Sequence, residues 1–508
     1  MHRFKQPALW RLLAAFTAGA STVLAFAPFS FYPLALVGPL LLLWLWRNAT
    51  PRFGFQSGWA YGLGLLGFGV FWLHISIDQF GNMGTASAIA ITLLFVLAIA
   101  LYYALMGWLA VRLWRTSGGW LFAVIPSLWV LGEWLRGWIF TGFPWLLLGY
   151  SQIDSPLGGY APLFGVYGVS WLLLLSAVLL FRLLSPAVTG RLWLAGGLAL
   201  LWGGGVLLNL VTWTEPVGPP LKVSMIQGNI AQAVKWQRDS LRPTLDLYTR
   251  LTREQWQSDL IIWPETAVPA FAHQVEETLL KPLTEEALAN QSTLLIGIPV
   301  WDAESGAYYN SMISLGQERD SYAKRHLVPF GEFMPLKAWL RPLIDWLQIP
   351  MSDFTSGDSP RPLLRVAGYL AGISICYEDA FGEEVAEALP QAAFLVNASN
   401  DAWFGDSLAP RQHLEIARMR ALETGRYLLR STNTGISALI GPKGQVRDFS
   451  PAFQQHVLSG EIVPMQGATP YVRVGNWVVV VFSILMIGMT LIMGGRNPGS
   501  PVRTPLNV

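Results

Sequence analysis

Charge is nearly absent from the first part of this chain, and that scarcity restricts its fold more than any motif does. Residues 1–212 carry ten Lys or Arg and three Asp or Glu, whereas the other 296 of the 508 residues carry 24 and 29. An ionised side chain at mid-bilayer costs about 3 kcal/mol or more, so a long apolar stretch this poor in charge is read as membrane-embedded. Apolar runs, most near the roughly 20 residues that a hydrocarbon core of about 30 Å requires, lie near 1–27, 31–46, 58–76, 86–111, 120–140, 163–181 and 192–211. An eighth, near 475–493, follows the polar part.

The first run imitates a secretory signal, with Arg3, Lys5 and Arg11 ahead of an apolar stretch ending in Ala25-Phe26-Ala27. Pro28 would directly follow the cut and a second apolar run begins at once, so the segment is expected to be retained as a first helix. Lys and Arg fix the orientation. Arg3, Lys5, Arg47, Arg52, Arg112, Arg115, Arg182, Arg191, Arg496 and Arg503 all fall on one side of an eight-helix arrangement, and the alternate loops near 28–30, 77–85 and 150–160 hold neither residue type. Cytoplasmic loops are the positively charged ones. Both termini are therefore expected in the cytoplasm and the polar domain outside it. The predicted division is 1–212 for helices one to seven, 219–465 for the polar domain, 474–495 for helix eight and 496–508 for a cytoplasmic tail. Glu133 and Arg136 stand three apart in the fifth run, on one helical face where they can form a structural ion pair, the alternative being a role beneath the site.

The polar domain alternates strand-like and helix-like segments. Residues 221–227, 260–263, 293–299, 311–315, 369–375, 394–398, 437–440 and 458–462 read as short buried strands, and 276–290 and 411–424 as amphipathic helices, which predicts an α/β layered domain. Segment 333–354 holds Trp339, Leu340, Leu343, Ile344, Trp346, Leu347 and Met351 among prolines and charges. So much apolar surface beside charge reads as an interfacial arm. A single cysteine rules out an internal disulfide, and six scattered histidines show no metal-ligand spacing, so neither metal nor cofactor is expected.

That cysteine ends one of three strands that stop at reactive side chains. Ala371-Gly372-Ile373-Ser374-Ile375-Cys376-Tyr377-Glu378-Asp379 reads as a buried strand delivering a thiol to a sharp turn. A lone cysteine is usually a small hydrophobe, so catalysis needs a base and an orienting group from elsewhere. Ile261-Ile262-Trp263-Pro264-Glu265-Thr266 supplies a carboxylate able to take a thiol proton, and Tyr322-Ala323-Lys324-Arg325-His326-Leu327-Val328-Pro329-Phe330-Gly331-Glu332 supplies an ammonium able to stabilise thiolate and oxyanion.

In the order Glu, Lys, Cys and with these flanks, the three stretches resemble the carbon–nitrogen hydrolase, or nitrilase, superfamily. With seven preceding helices and one closing helix, the whole chain resembles its membrane-embedded branch, the apolipoprotein N-acyltransferase family of bacterial inner membranes. The resemblance implies an eight-helix transmembrane bundle carrying an extracytoplasmic nitrilase-like αββα sandwich. It implies Glu265 as general base, Lys324 as oxyanion stabiliser and Cys376 as nucleophile. Glu332 would support the lysine, Glu378 and Tyr377 would frame the thiol, and Trp236 and Asn310 would line the site. The implied reaction is ping-pong transfer of an acyl chain from a phospholipid, with phosphatidylethanolamine as the implied donor, through a cysteine thioester to the α-amino group of a diacylglyceryl-cysteine apolipoprotein, by a monomer without nucleic acid. Two other classes share parts of the pattern. A membrane-anchored amidase for small amides has the triad but needs one anchor rather than eight, and a transporter with an external sensor lacks the recurrent intramembrane acids that ion coupling uses.

Overall fold

A computed structural model describes residues 9–81, 84–117, 121–186, 190–333 and 354–495. The arm residues 334–353, with Trp339 and Trp346, the tail 496–508, and Arg3 and Lys5 lie outside the described residues.

Apolar helices dominate the first half: α1 (Leu9–Thr22), α2 (Leu34–Trp46), α3 (Pro51–Gly69), α4 (Leu73–Gly81), α5 (Thr85–Ile99), α6 (Leu101–Ser117), α7 (Leu121–Arg136), α8 (Ala161–Leu183) and α9 (Arg191–Leu210). Three described stretches, Thr85–Trp114, Pro156–Leu183 and Arg191–Leu210, are long and apolar enough to cross a membrane by themselves. Pro51–Gly69 with Leu73–Gln79 makes a fourth, bent by 55°. Lipid offers helices no hydrophobic drive to associate, so close backbone packing must hold them. Glycines in α3 provide it: a Cβ on Gly54 would lie 2.4 Å from the carbonyl oxygen of Gly107 in α6, and one on Gly64 would lie 2.1 Å from that of Phe16 in α1.

Glu133 and Arg136 correct the expectation of an ion pair. Both are buried, and each turns to the loop after α7. Glu133 accepts from Leu148 N at 2.9 Å and Trp129 Nε1 at 3.1 Å, while Arg136 donates to the carbonyls of Phe143 and Trp145 at 2.8 and 2.6 Å. Irregular backbone inside an apolar bundle needs such partners, and the loop's demand outweighs the pair's mutual attraction.

The second half is a four-layered sandwich. One sheet runs β12 (His456–Ile462), β1 (Leu221–Gln227), β2 (Leu260–Ile262), β3 (Thr293–Trp301), β4 (Tyr308–Leu315) and β5 (Asp320–Ala323). The other runs β11 (Val446–Phe449), β10 (Ala438–Ile440), β9 (Leu428–Thr432), β8 (Phe394–Ser399), β7 (Tyr369–Ile375) and β6 (Leu363–Val366). In each sheet three central strands are parallel and the outer pairings antiparallel. The inner faces share a core of Val223, Met225, Ile262, Leu295, Ile373, Ile375 and Val396. Helices α10 (Arg238–Arg253) and α11 (Lys281–Ala289) cover one outer face, and α12 (Ala409–Thr424) the other. A last apolar helix, α13, spans Trp477–Gly495.

Helix α12 is buried on both sides because the apolar bundle packs on its far face through Ala409, Ile416, Met419 and Leu422. Its polar side chains satisfy interrupted backbone in that bundle. Gln412 donates to the Gly69 carbonyl at 3.0 Å and accepts from the indoles of Trp72 and Trp145 at 3.1 and 2.8 Å. Glu423 accepts from Val166 N at 2.7 Å, where Gly165, at φ +65°, opens the first turn of α8.

Gln412→Ala leaves the Trp145 indole N–H buried without a partner and takes one bond each from the Trp72 indole and the Gly69 carbonyl, which keep only their 3.1 Å bond to each other, a loss of about 2 kcal/mol. The purified variant is expected to unfold several degrees below the parent chain in a thermal scan, and an unchanged midpoint would show that these bonds do not hold the halves together.

Candidate active site

Three strand ends meet at one edge of the sandwich. After β2 the chain turns over Trp263–Thr266, bringing Glu265 against β3. Only glycine permits that approach, since a Cβ on Gly297 would lie 2.1 Å from the Pro264 carbonyl oxygen and 2.9 Å from Glu265 Cα. Lys324 directly follows β5, its N–H bonded to the Asn310 carbonyl at 2.8 Å. Cys376 directly follows β7 and sits at φ +53°, a left-handed conformation that costs a non-glycine residue about 1–3 kcal/mol. The surroundings hold it there. Glu378 accepts from Ile375 N at 2.6 Å, and Asn397 Nδ2 donates to the Cys376 carbonyl at 3.1 Å.

The Lys324 ammonium is 1 % exposed and lies 2.8 Å from Glu332 and 3.4 Å from Glu265. Asn310 Nδ2 links the two carboxylates, at 2.7 Å from Glu265 Oε1 and 3.0 Å from Glu332 Oε1. Burial alone would push the lysine's pKa down, but Glu332, Glu265 and the neighbouring Cys376 raise it well above the ordinary lysine range. The thiol is displaced the other way from a reactive thiolate. Burial and then Glu265 push Cys376 above the ordinary thiol range, with Lys324 opposing them. Two carboxylates face one ammonium here, so a resting thiolate would add a further unbalanced negative charge.

Glu378 ties the lysine's strand end to the cysteine's turn. Besides Ile375 N, it accepts from Tyr322 Oη at 2.9 Å, Arg325 N at 2.7 Å and His326 N at 3.1 Å. Tyr377 turns toward the apolar half, donating to the Gly142 carbonyl at 2.9 Å and stacking on Trp145. Trp236 is 53 % exposed at the end of the short helix Gln232–Lys235. Its connection to the site runs through Lys235, a buried ammonium 3.4 Å from the Glu265 carbonyl oxygen, whose pKa burial lowers to about 8.

A buried charged cluster behind the nucleophile turn escapes the sequence reading. His413 bonds Asp379 at 2.8 Å through Nε2 and Asp401 at 3.0 Å through Nδ1, and Arg430 reaches Asp401 at 2.9 Å and Asn397 at 2.6 Å. Burial and Arg430 oppose a charged imidazole, but the two aspartates win and raise His413 to about 9. The signals were present, in the mostly polar run Asn397–Asp401 and in Arg430, which follows Leu428 and Leu429 in the buried strand β9. Chemically, the edge offers a thiol, a carboxylate to receive its proton, and a fixed cation for charge developing on a bound carbonyl. Among the described residues, no group of three or more His, Cys, Asp or Glu side chains is arranged to hold a metal.

Comparison with known proteins finds two family descriptions along the chain. The family description "Apolipoprotein N-acyltransferase N-terminal domain" matches residues 18–179, and "Carbon-nitrogen hydrolase" matches 222–471. The chain is 45 % identical to the apolipoprotein N-acyltransferase of Methylococcus capsulatus over 496 residues, covering 96 % of this chain and 97 % of that one. It is 46 % identical over 489 residues to that of Nitrosomonas europaea, with the same coverage of 96 % and 97 %. Against that of Pseudomonas syringae pv. tomato the identity is 42 % over 488 residues, covering 94 % and 96 %.

The raised thiol pKa predicts the alkylation profile of the resting protein. Cys376 should react with iodoacetamide at a rate still climbing above pH 9, and Lys324→Met should move the profile further upward because the cation that favours thiolate is gone. A plateau below about pH 8.5, where a free thiol titrates, would instead mark a resting thiolate.

Proposed function

The chain belongs to the apolipoprotein N-acyltransferase family, and on that footing we propose that it transfers a fatty acyl chain from a membrane phospholipid to the α-amino group of a diacylglyceryl-cysteine apolipoprotein. The reading is carried by one observation: the buried Lys324 ammonium is held between Glu265 and Glu332 beside the Cys376 thiol. In the first half-reaction Glu265 takes the thiol proton as sulfur attacks the lipid ester carbonyl. Lys324 and a backbone N–H stabilise the tetrahedral oxyanion. Collapse breaks the ester C–O bond, the departing alkoxide takes the proton from Glu265, and a lysophospholipid leaves a thioester on Cys376. In the second, the neutral α-amine attacks the thioester, Glu265 receives its proton and returns it to sulfur, and the amide leaves. A thioester is the better donor to an amine, which makes this order chemically sensible.

Glu332 and Asn310 hold the lysine and base in register, Glu378 holds the two strand ends together, Tyr377 braces the cysteine's turn against the apolar half, and the exposed Trp236 is placed to meet substrate. The proposed placement puts eight helices across the bacterial inner membrane, both termini in the cytoplasm and the sandwich in the periplasm. It follows the alternation of Lys and Arg between successive loops. Phosphatidylethanolamine is the proposed donor, and the protein is proposed to act as a monomer.

Purified protein in detergent, given phosphatidylethanolamine and a diacylglyceryl-cysteine peptide, should convert the peptide to its N-acylated form. Cys376→Ser and Glu265→Gln should each lower that rate by about 10³-fold or more. A Cys376→Ser protein working within tenfold of the parent would overturn the mechanism.

A further inference from the structure

A cavity lies below the nucleophile turn, between the last turn of α7 and the segment Ala380–Glu384. Its lining contains none of Glu265, Lys324 and Cys376, so it is a separate place from the triad. Trp134, Trp138, His326, Glu383, Arg420 and Tyr471 are among its walls. Tyr471 is 0 % exposed, yet its hydroxyl has no hydrogen-bond partner; Arg420 is 1 % exposed, and its Nε–H has none either. Glu423 occupies the far end of the guanidinium at 3.1 Å. The cavity thus presents buried donors that lack an acceptor, a costly condition unless something fills it.

Its acids are also unequally matched. Glu384 is bonded to His326 at 2.7 Å. Glu383 takes hydrogen bonds from Asn476, and its charged neighbours of note, Glu384 and Glu387, carry its own sign. An occupant that answers both ends brings acceptor oxygens to Tyr471 and Arg420, between the carboxylates of Glu423 and Glu383, and a cation to Glu383. The surroundings say where it comes from. Trp134 lies 5.5 Å from Trp138 and 6.2 Å from Trp477, with Trp138 54 % and Trp477 59 % exposed at the ends of apolar helices. Tryptophans so placed sit at the level of phospholipid headgroups.

We propose that this cavity seats the headgroup of an aminophospholipid, its phosphate accepting from Tyr471 and Arg420 and its ammonium facing Glu383 and the indoles of Trp134 and Trp138. The inference rests on the chain's place in a membrane and not on acyl transfer. Occupancy reaches the triad's neighbourhood through His326, which stacks on Phe381 at 3.7 Å, with Tyr377 5.1 Å from Phe381.

Dialkyl-ether phosphatidylethanolamine and dialkyl-ether phosphatidylglycerol have no ester to donate, so they report binding alone. In native mass spectrometry of the full chain, the ethanolamine lipid should bind about tenfold more tightly than the glycerol lipid, roughly the value of one charge-assisted contact. Glu383→Gln should erase that preference. Tyr471→Phe, which keeps the ring against Gly165, should weaken both lipids about fivefold. Thermal scans matching the parent's would show both variants folded. Lipid binding unchanged in both folded variants overturns the proposal, as does a preference that survives Glu383→Gln and disappears with Glu265→Gln, which would locate the lipid in the transfer cleft. Ether-lipid binding that follows these expectations in a protein transferring no acyl chain would uphold the site and remove only the donor reading.

Discussion

A lysine ammonium shut away from water is the constraint on which the catalytic edge depends. Its desolvation is tolerable only because Glu332 and Glu265 stand at 2.8 and 3.4 Å, and a cation so fixed is already oriented toward charge that appears later in a reaction. Holding that geometry makes demands elsewhere. The Glu265 turn requires glycine at 297, the Lys324 strand end must be tied to the Cys376 turn, and Glu378 does the tying with four donors. Burial first, and then the carboxylate of Glu265, pushes the Cys376 thiol upward, and in the proposed mechanism Glu265 takes its proton at the moment of attack. On that proposal the thiol stays inert until a carbonyl is in place.

The catalytic half does not stand apart from the apolar half. Helix α12 lends Gln412 and Glu423 to broken backbone in the bundle, and the loop after α7 returns the support through Gly142 and Trp145 beneath Tyr377. Glu133 and Arg136 secure that loop from inside the bundle. A polar residue in an apolar helix is most economically explained here by the irregular backbone it serves.

Much of this was legible from local pattern. Apolar runs stopping at Cys376 and Glu265 located two strand ends, because a buried strand that ends on a polar turn looks the same wherever it occurs, whereas Lys324 stood out through the stretch Tyr322–Glu332. What the pattern concealed was non-local. Strand β9 carries a fully buried Arg430, and that charge is acceptable only because Asp379, Asp401 and Asn397 arrive from other segments. Strands β5 and β11 border the sheets with mostly exposed residues, which leaves little hydrophobic signal to read. Helix α10 contains Pro243 within its first turns, a residue that ordinarily argues against a helix. Glu133 and Arg136 were placed correctly on one helix, but their partners lie on a loop whose fold no spacing rule gives.

The central claim is that Cys376 carries the acyl chain between the two substrates, and intact mass with peptide mapping tests it most directly. Protein incubated with phosphatidylethanolamine alone should gain one fatty acyl mass on Cys376, absent from Cys376→Ser, and lose it to a diacylglyceryl-cysteine peptide that gains the same mass. An unmodified Cys376 in protein with phospholipid demonstrably bound, or an adduct discharged by water and never by the peptide, would contradict the account.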